Sequence, residues 1–288
     1  MSRLTDARII VGYAISESVR RRVLVVVAVL TMLFLAVYAL GVHFAFQEVE
    51  NEFLTGTDLV DEKAVVGGTI FGLAMFAVLF LGSVLSIFLT NGVVRGDTEA
   101  GLLQPLVVRP VGRGTLLVAR WAGAAAATTL YVLAVYLIAL GITSGLGDWT
   151  PGSAVLPGLA LALAVAIVGA ISVLVSVFLA ASAQGIAVFM VFGAGLVGGL
   201  LGQIGEAISS ERLQQIADLV ATALPFEALY QAGLHLIASD ESGFTRQAIE
   251  LGPFGGSQDG SIGLVAFSLV YVAGILALAV AAFARRDL

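Results

Sequence analysis

The chain has no cysteine and a single lysine, Lys63. The first absence excludes disulfides, thiolate metal sites and a cysteine nucleophile. The second excludes a nucleotide-hydrolysing P-loop, which needs a lysine followed by Ser or Thr after a glycine-rich turn; Lys63 is followed by Ala64. The two histidines, His43 and His235, stand far apart, so no histidine-rich metal site is expected. Charge is also scarce: 12% of the 288 residues are charged, against about 25% in soluble proteins. The expectation is a chain with no cofactor and no metal of its own, no nucleic-acid partner and no ATPase site.

What is present is apolar sequence, 59% of the residues. Long runs free of charge extend from Arg22 to Glu48, Lys63 to Arg95, Arg120 to Asp148, Asp148 to Glu206 and Asp259 to Arg285. A helix crosses a bilayer with about 20 residues. The Asp148–Glu206 run encloses 57 residues and so holds two crossings, with the turn placed at Ala181–Gly185, its smallest and most polar patch. This gives six helices, at about 23–44, 66–92, 117–141, 155–180, 186–204 and 262–284. The fold class is an all-α membrane protein.

Arginine orients it. With both termini on the cytoplasmic side, eleven of the fourteen basic residues lie inside, and fifteen of the twenty acids lie outside. That is the positive-inside arrangement of a multi-pass protein in the plasma membrane of a prokaryote. The turn at 181–185 carries no basic residue and fits only by parity. The N-terminal apolar run of about 22 residues is too long for the core of a cleaved signal peptide. Before it, Leu4, Ala7, Val11 and Ile15 fall near helical spacing, which predicts an interfacial helix on membrane lipid over 1–22.

Residues 205–260 form the longest segment outside the spans. Leu213, Ile216, Val220 and Leu224 repeat at helical spacing; Pro225 interrupts, and Phe226, Leu229, Tyr230 and Ile237 begin a second stripe. Two short amphipathic helices against the outer membrane face are predicted, a helical outer excursion between helices five and six. The acidic stretch 45–64 reads as a solvated loop.

No acid or base is expected deep in a span, which argues against a proton-coupled carrier. The sequence GAGLVG at 193–198 fits a dinucleotide-binding pattern but sits inside an apolar run, where that reading fails. Gly195 with Gly199, and Gly198 with Gly202, instead make small-residue pairs for close helix approach. Gly68 with Gly72, and Gly92 with Gly96, repeat the pattern. Whether such packing is within the chain or across a dimer stays open.

The segment 95–120, RGDTEAGLLQPLVVRPVGRGTLLVAR, is the one rich connector on the inner side. Asp97 and Glu99 flank Thr98 at a helix start, where acids favour the positive end of the dipole. Leu102, Leu103, Leu106 and Val107 give an apolar face; Pro105 and Pro110 punctuate it, and Gly112 and Gly114 bend the chain before the third helix. Two readings stand: a docking surface for another protein, or a loop on the headgroups with arginines on anionic lipid.

At these residues the chain resembles the permease subunits of ABC-2 type transporters: TEAGLLQPLVVRPVGRGTLLVARWAG at 98–123, SVRRR at 18–22 and FARRDL at 283–288, arranged around six spans. The resemblance covers essentially the whole chain as a single permease domain, 1–288. It implies a cytoplasmic ATP-binding cassette subunit that carries the ATP and magnesium, and a second permease copy. Residues 1–22 would be the interfacial elbow helix. Residues 95–116 would be the coupling loop, with Asp97, Glu99, Gly101, Leu102, Leu103, Arg109, Pro110 and Arg113 at the ATPase contact. Helices two and five, with Gly68, Gly72, Gly195, Gly198, Gly199 and Gly202, would line the dimer interface and the path.

The leading expectation is a permease that exports a substrate using ATP hydrolysed by its partner. The alternative is a mechanotransmitter acting on an extracytoplasmic partner, since permeases for maturation of the nitrous-oxide-reductase copper site resemble this chain in size and layout.

Overall fold

The structure, a computed structural model, describes residues 22–52, 61–91, 113–239, 243–250, 258 and 260–285. Among these residues there are nine helices and no strand. They are α1 (Arg22–Glu52), α2 (Glu62–Thr90), α3 (Arg113–Gly147), α4 (Leu156–Phe178), α5 (Ala181–Ala207), α6 (Glu211–Ala223), α7 (Pro225–Ile237), α8 (Gly243–Glu250) and α9 (Ile262–Ala284). Six of them, α1 to α5 and α9, are long and apolar enough to cross a membrane.

Two of the helices run past their expected ends. α1 continues to Glu52 and α3 to Gly147, past the expected ends at 44 and 141. Glutamate is a good helix former, and a helix has no reason to stop where the apolar run does. α2 instead begins with a cap: the Asp61 carboxylate accepts from the Ala64 backbone N–H at 3.1 Å. The turn expected at 181–185 is not there. The chain turns at Leu179 and Ala180, and Ser182, Ala183 and Gln184 already belong to the first turn of α5. Gln184 is fully buried, so its polarity serves an internal contact rather than water.

α2 and α4 are the central helices, buried along most of their length. α1, α3, α5 and α9 surround them and keep broad apolar faces exposed, such as Met32 on α1 and Leu130 on α3. At one end of the bundle Phe71 meets Tyr136 and Trp149 edge-on. The Trp149 ring lies where a side chain on Gly67 would stand. At the opposite end sit Thr90, Ser172 and Gln184.

The excursion between α5 and α9 differs from the sequence expectation. α6 does stay on the surface, with no buried residue. α7, expected beside it on the outer face, is buried at every residue from Pro225 to Leu234 and packs along α4. The two helices form a hairpin folded back along α5. Gly205 meets Leu213, Gly202 meets Ala217, Gly198 meets Val220 and Gly195 meets Phe226, so α6 runs antiparallel to α5. Phe226 stacks on Phe192 with centroids 5.4 Å apart. Phe192 is fifteen residues before the α5 end at Ala207, about 22 Å along a helix axis. The hairpin therefore dips deep between the long helices. In lipid, close backbone approach holds helices together more than water exclusion does, and the glycine row on α5 supplies that approach.

Candidate functional site

Two polar assemblies are built into this apolar frame. The first joins the ends of α2, α4 and α5. Thr90, the last residue of α2, places its hydroxyl 2.7 Å from the Ser86 carbonyl and 2.8 Å from Ser172 Oγ on α4. The Gln184 amide on α5 donates from Nε2, which is 3.1 Å from the Thr90 carbonyl, 3.1 Å from the Ser172 carbonyl and 3.0 Å from Ser172 Oγ. All three residues are completely buried. The Thr90 carbonyl is one of the acceptors that a helix C-terminus leaves without an intrahelical donor. Gln184 fills that need from a neighbouring helix.

The second assembly lies where the hairpin meets α5. Glu227, on the first turn of α7, is 2% exposed. The Gln231 amide, one turn on, donates to Glu227 Oε1 at 2.8 Å, and the Gln203 amide of α5 donates to Gln231 Oε1 at 3.1 Å. The carboxylate presses against Gly199, where a Cβ would collide with Oε1. Outside the six spans, burial pushes the Glu227 carboxyl up to about 7, and the Gln231 hydrogen bond pulls it back down. A carboxyl raised by desolvation regains its charge when a cation approaches. The hairpin tip is tied to the last helix as well: the Tyr271 hydroxyl of α9 donates to the Ala223 carbonyl at 2.8 Å.

Glu227 borders two cavities of opposite character. One, of about 290 Å³, is polar and is lined by Glu206, Gln214, Asp218 and Gln258 besides the glycines of α5. The other, of about 320 Å³, is apolar and is lined by Leu73 and Phe76 of α2, Leu196 and Leu200 of α5, and Tyr230 and Leu234 of α7. A third cavity, of about 670 Å³, opens at the Trp149 end between His43, Lys63 and Asp148. Lys63 and Asp148 approach to 3.8 Å there, both well exposed, so their pairing contributes little.

Asp97, Glu99, Gly101, Leu102, Leu103, Arg109 and Pro110 lie outside the described residues, as do the 1–21 segment and the Gly92–Gly96 pair. Arg113 is the first residue of α3, so 113–116 form a helical turn rather than loop. Gly114, next to it, lies against Val280 of α9.

Several of these glycines make close contacts within the chain. Gly195, Gly198, Gly199 and Gly202 face the hairpin rather than another span. A Cβ on Gly68 would stand 3.2 Å from Ile249 Cγ2 of α8, and Gly72 is buried on α2.

Sequence reasoning missed Gln184, Glu227 and Gln231. Its expectation of no acid deep in a span does not cover Glu227, which lies on α7 between the fifth and sixth spans. The signal was available in the spacing. Glu227 and Gln231 are four apart on one helical face, within a segment otherwise as apolar as a core helix.

The family model described as ABC-2 family transporter protein matches residues 9–288. No curated protein matches the chain.

Proposed function

Since the chain belongs to the ABC-2 transporter family and is the membrane-spanning permease subunit of an ABC transporter, we propose that it exports a substrate with energy supplied at residues 95–116 by a separate ATP-binding cassette subunit. ATP and magnesium reside on that subunit, and the end of the bundle holding Thr90 faces the cytoplasm. Two permease copies complete the unit.

The observation that carries this reading is the Thr90–Ser172–Gln184 assembly. In the chain, the coupling segment follows α2, which ends at Thr90, and leads into α3, which begins at Arg113. Any displacement of that segment pulls directly on the α2 terminus. The Gln184 and Ser172 hydrogen bonds carry the pull into α5 and α4. Switching of this kind proceeds by small shifts of packed helices that have discrete arrangements. α5 and α4 in turn hold the hairpin, through the glycine row and along α7. An input at the Thr90 end thus has a continuous packed route to the cavities beside Glu227.

Co-purification tests the coupling role. Leu102→Asp and Glu99→Arg should reduce recovery of the ATPase subunit with the permease while membrane insertion is retained. Full recovery and full activity in both variants would refute it.

A further inference from the structure

The apolar cavity between α2, α5 and α7 has a defined chemical bias. Its walls are Leu73, Phe76, Leu196, Leu200 and Leu234. Phe76 and Tyr230 stand with ring centroids 6.4 Å apart at its edge, and Glu227 closes one side. Among the described residues no Lys, Arg or His pairs with that carboxylate, and its one hydrogen-bond donor is Gln231, on Oε1.

A buried carboxylate with no cationic partner is costly, and the cost falls when a cation reaches it. Aromatic faces attract cations as well. An anion would meet the Glu227 charge and the negative ring faces together. A volume of about 320 Å³ suits a small organic molecule held by apolar walls and oriented by one or two polar groups.

We propose that this cavity binds a hydrophobic organic cation, with the charged centre against Glu227 and the apolar body on Leu73, Phe76, Leu196 and Leu200. The polar cavity on the far side of Glu227, with Glu206 and Asp218 on its wall, continues the negative lining towards the Ala207 end of α5. A cation that passes Glu227 thus meets further carboxylates rather than a barrier. That the bound cation is the transported cargo rests on the permease reading above. The binding itself does not.

Equilibrium binding separates the two. The full chain is placed in nanodiscs of phosphatidylcholine, with empty nanodiscs subtracted. Tetraphenylphosphonium and tetraphenylborate are the probes, alike in shape and opposite in charge. Saturable binding of the phosphonium is expected, with no saturable binding of the borate. Glu227→Gln keeps the shape and the Gln231 contact but removes the charge, and should weaken phosphonium binding at least tenfold. Leu200→Trp fills the cavity from a half-exposed position and should weaken it to a similar degree with Glu227 intact. It decides the matter if the Glu227 variant does not fold. Absence of saturable phosphonium binding to the unaltered chain, equal binding of both probes, or undiminished binding in the folded variants would overturn the site. Phosphonium binding that leaves the ATPase rate of the assembled transporter unchanged would overturn the cargo role alone.

Discussion

The Gln184 side chain on α5 donates a hydrogen bond to the main-chain carbonyl of Thr90, the terminal residue of α2, at 3.1 Å and fully buried. The two residues are 94 positions apart, yet this contact makes the first turn of one helix the cap of another. The same amide reaches Ser172, so one side chain ties three helices beside the segment where coupling is proposed.

Gln184→Leu keeps the volume and removes the donor. Buried acceptors left without a partner cost about 1–3 kcal/mol. The variant should unfold at lower temperature in detergent, read by tryptophan fluorescence. In the assembled transporter it should uncouple ATP hydrolysis from the hairpin. An unchanged melting temperature together with unchanged coupling would show that the three-helix contact has no such role.

The α5 glycines should divide into two classes. Gly195→Ala and Gly199→Ala push a methyl into the Phe226 ring and the Glu227 carboxylate respectively, and overpacking of this kind costs about 1–3 kcal/mol. Nothing described lies within 4 Å of a Cβ at Gly193, on the same helix. Gly193→Ala should be neutral or up to about 1 kcal/mol more stable, since alanine is the better helix former. Thermal unfolding of the three variants side by side checks the assignment. Equal effects at all three positions would contradict the hairpin packing.

Tyr271→Phe removes the donor that α9 gives to the Ala223 carbonyl at the hairpin tip. A loss of about 1 kcal/mol is expected, expressed locally. Hydrogen exchange should quicken at 220–228 and stay unchanged at 161–173. Uniform change over the chain would indicate a global effect instead.

The six spans are legible in the sequence because charge is excluded from apolar crossings, and Asp148, Glu206 and Arg285 mark their limits directly. Helix ends are less so. Glu48 and Glu50 signal the end of the membrane, but α1 runs past them to Glu52. Gln184 is legible as polar and points to a turn, because a single buried amide and a turn amide look alike until the neighbouring helix is known. The hairpin is the largest gap. Leu213, Ile216 and Val220 show an apolar stripe that fits a membrane surface as well as it fits a glycine row on α5. Phe226, Leu229 and Tyr230 give the same stripe to α7, and only its packing along α4 reveals that Glu227 and Gln231, on the polar side, are buried too. For residues 97–110 the family pattern in the sequence remains the source of the coupling assignment.

Energy entering from a separate subunit is the central claim, and ATP hydrolysis by purified protein tests it most directly. The chain alone, in nanodiscs, should show no hydrolysis above an empty-nanodisc control. Addition of its ATP-binding cassette subunit should produce hydrolysis, reduced at least several-fold by Leu102→Asp in the permease. Hydrolysis by the chain alone, or a complex indifferent to Leu102→Asp, would contradict the claim.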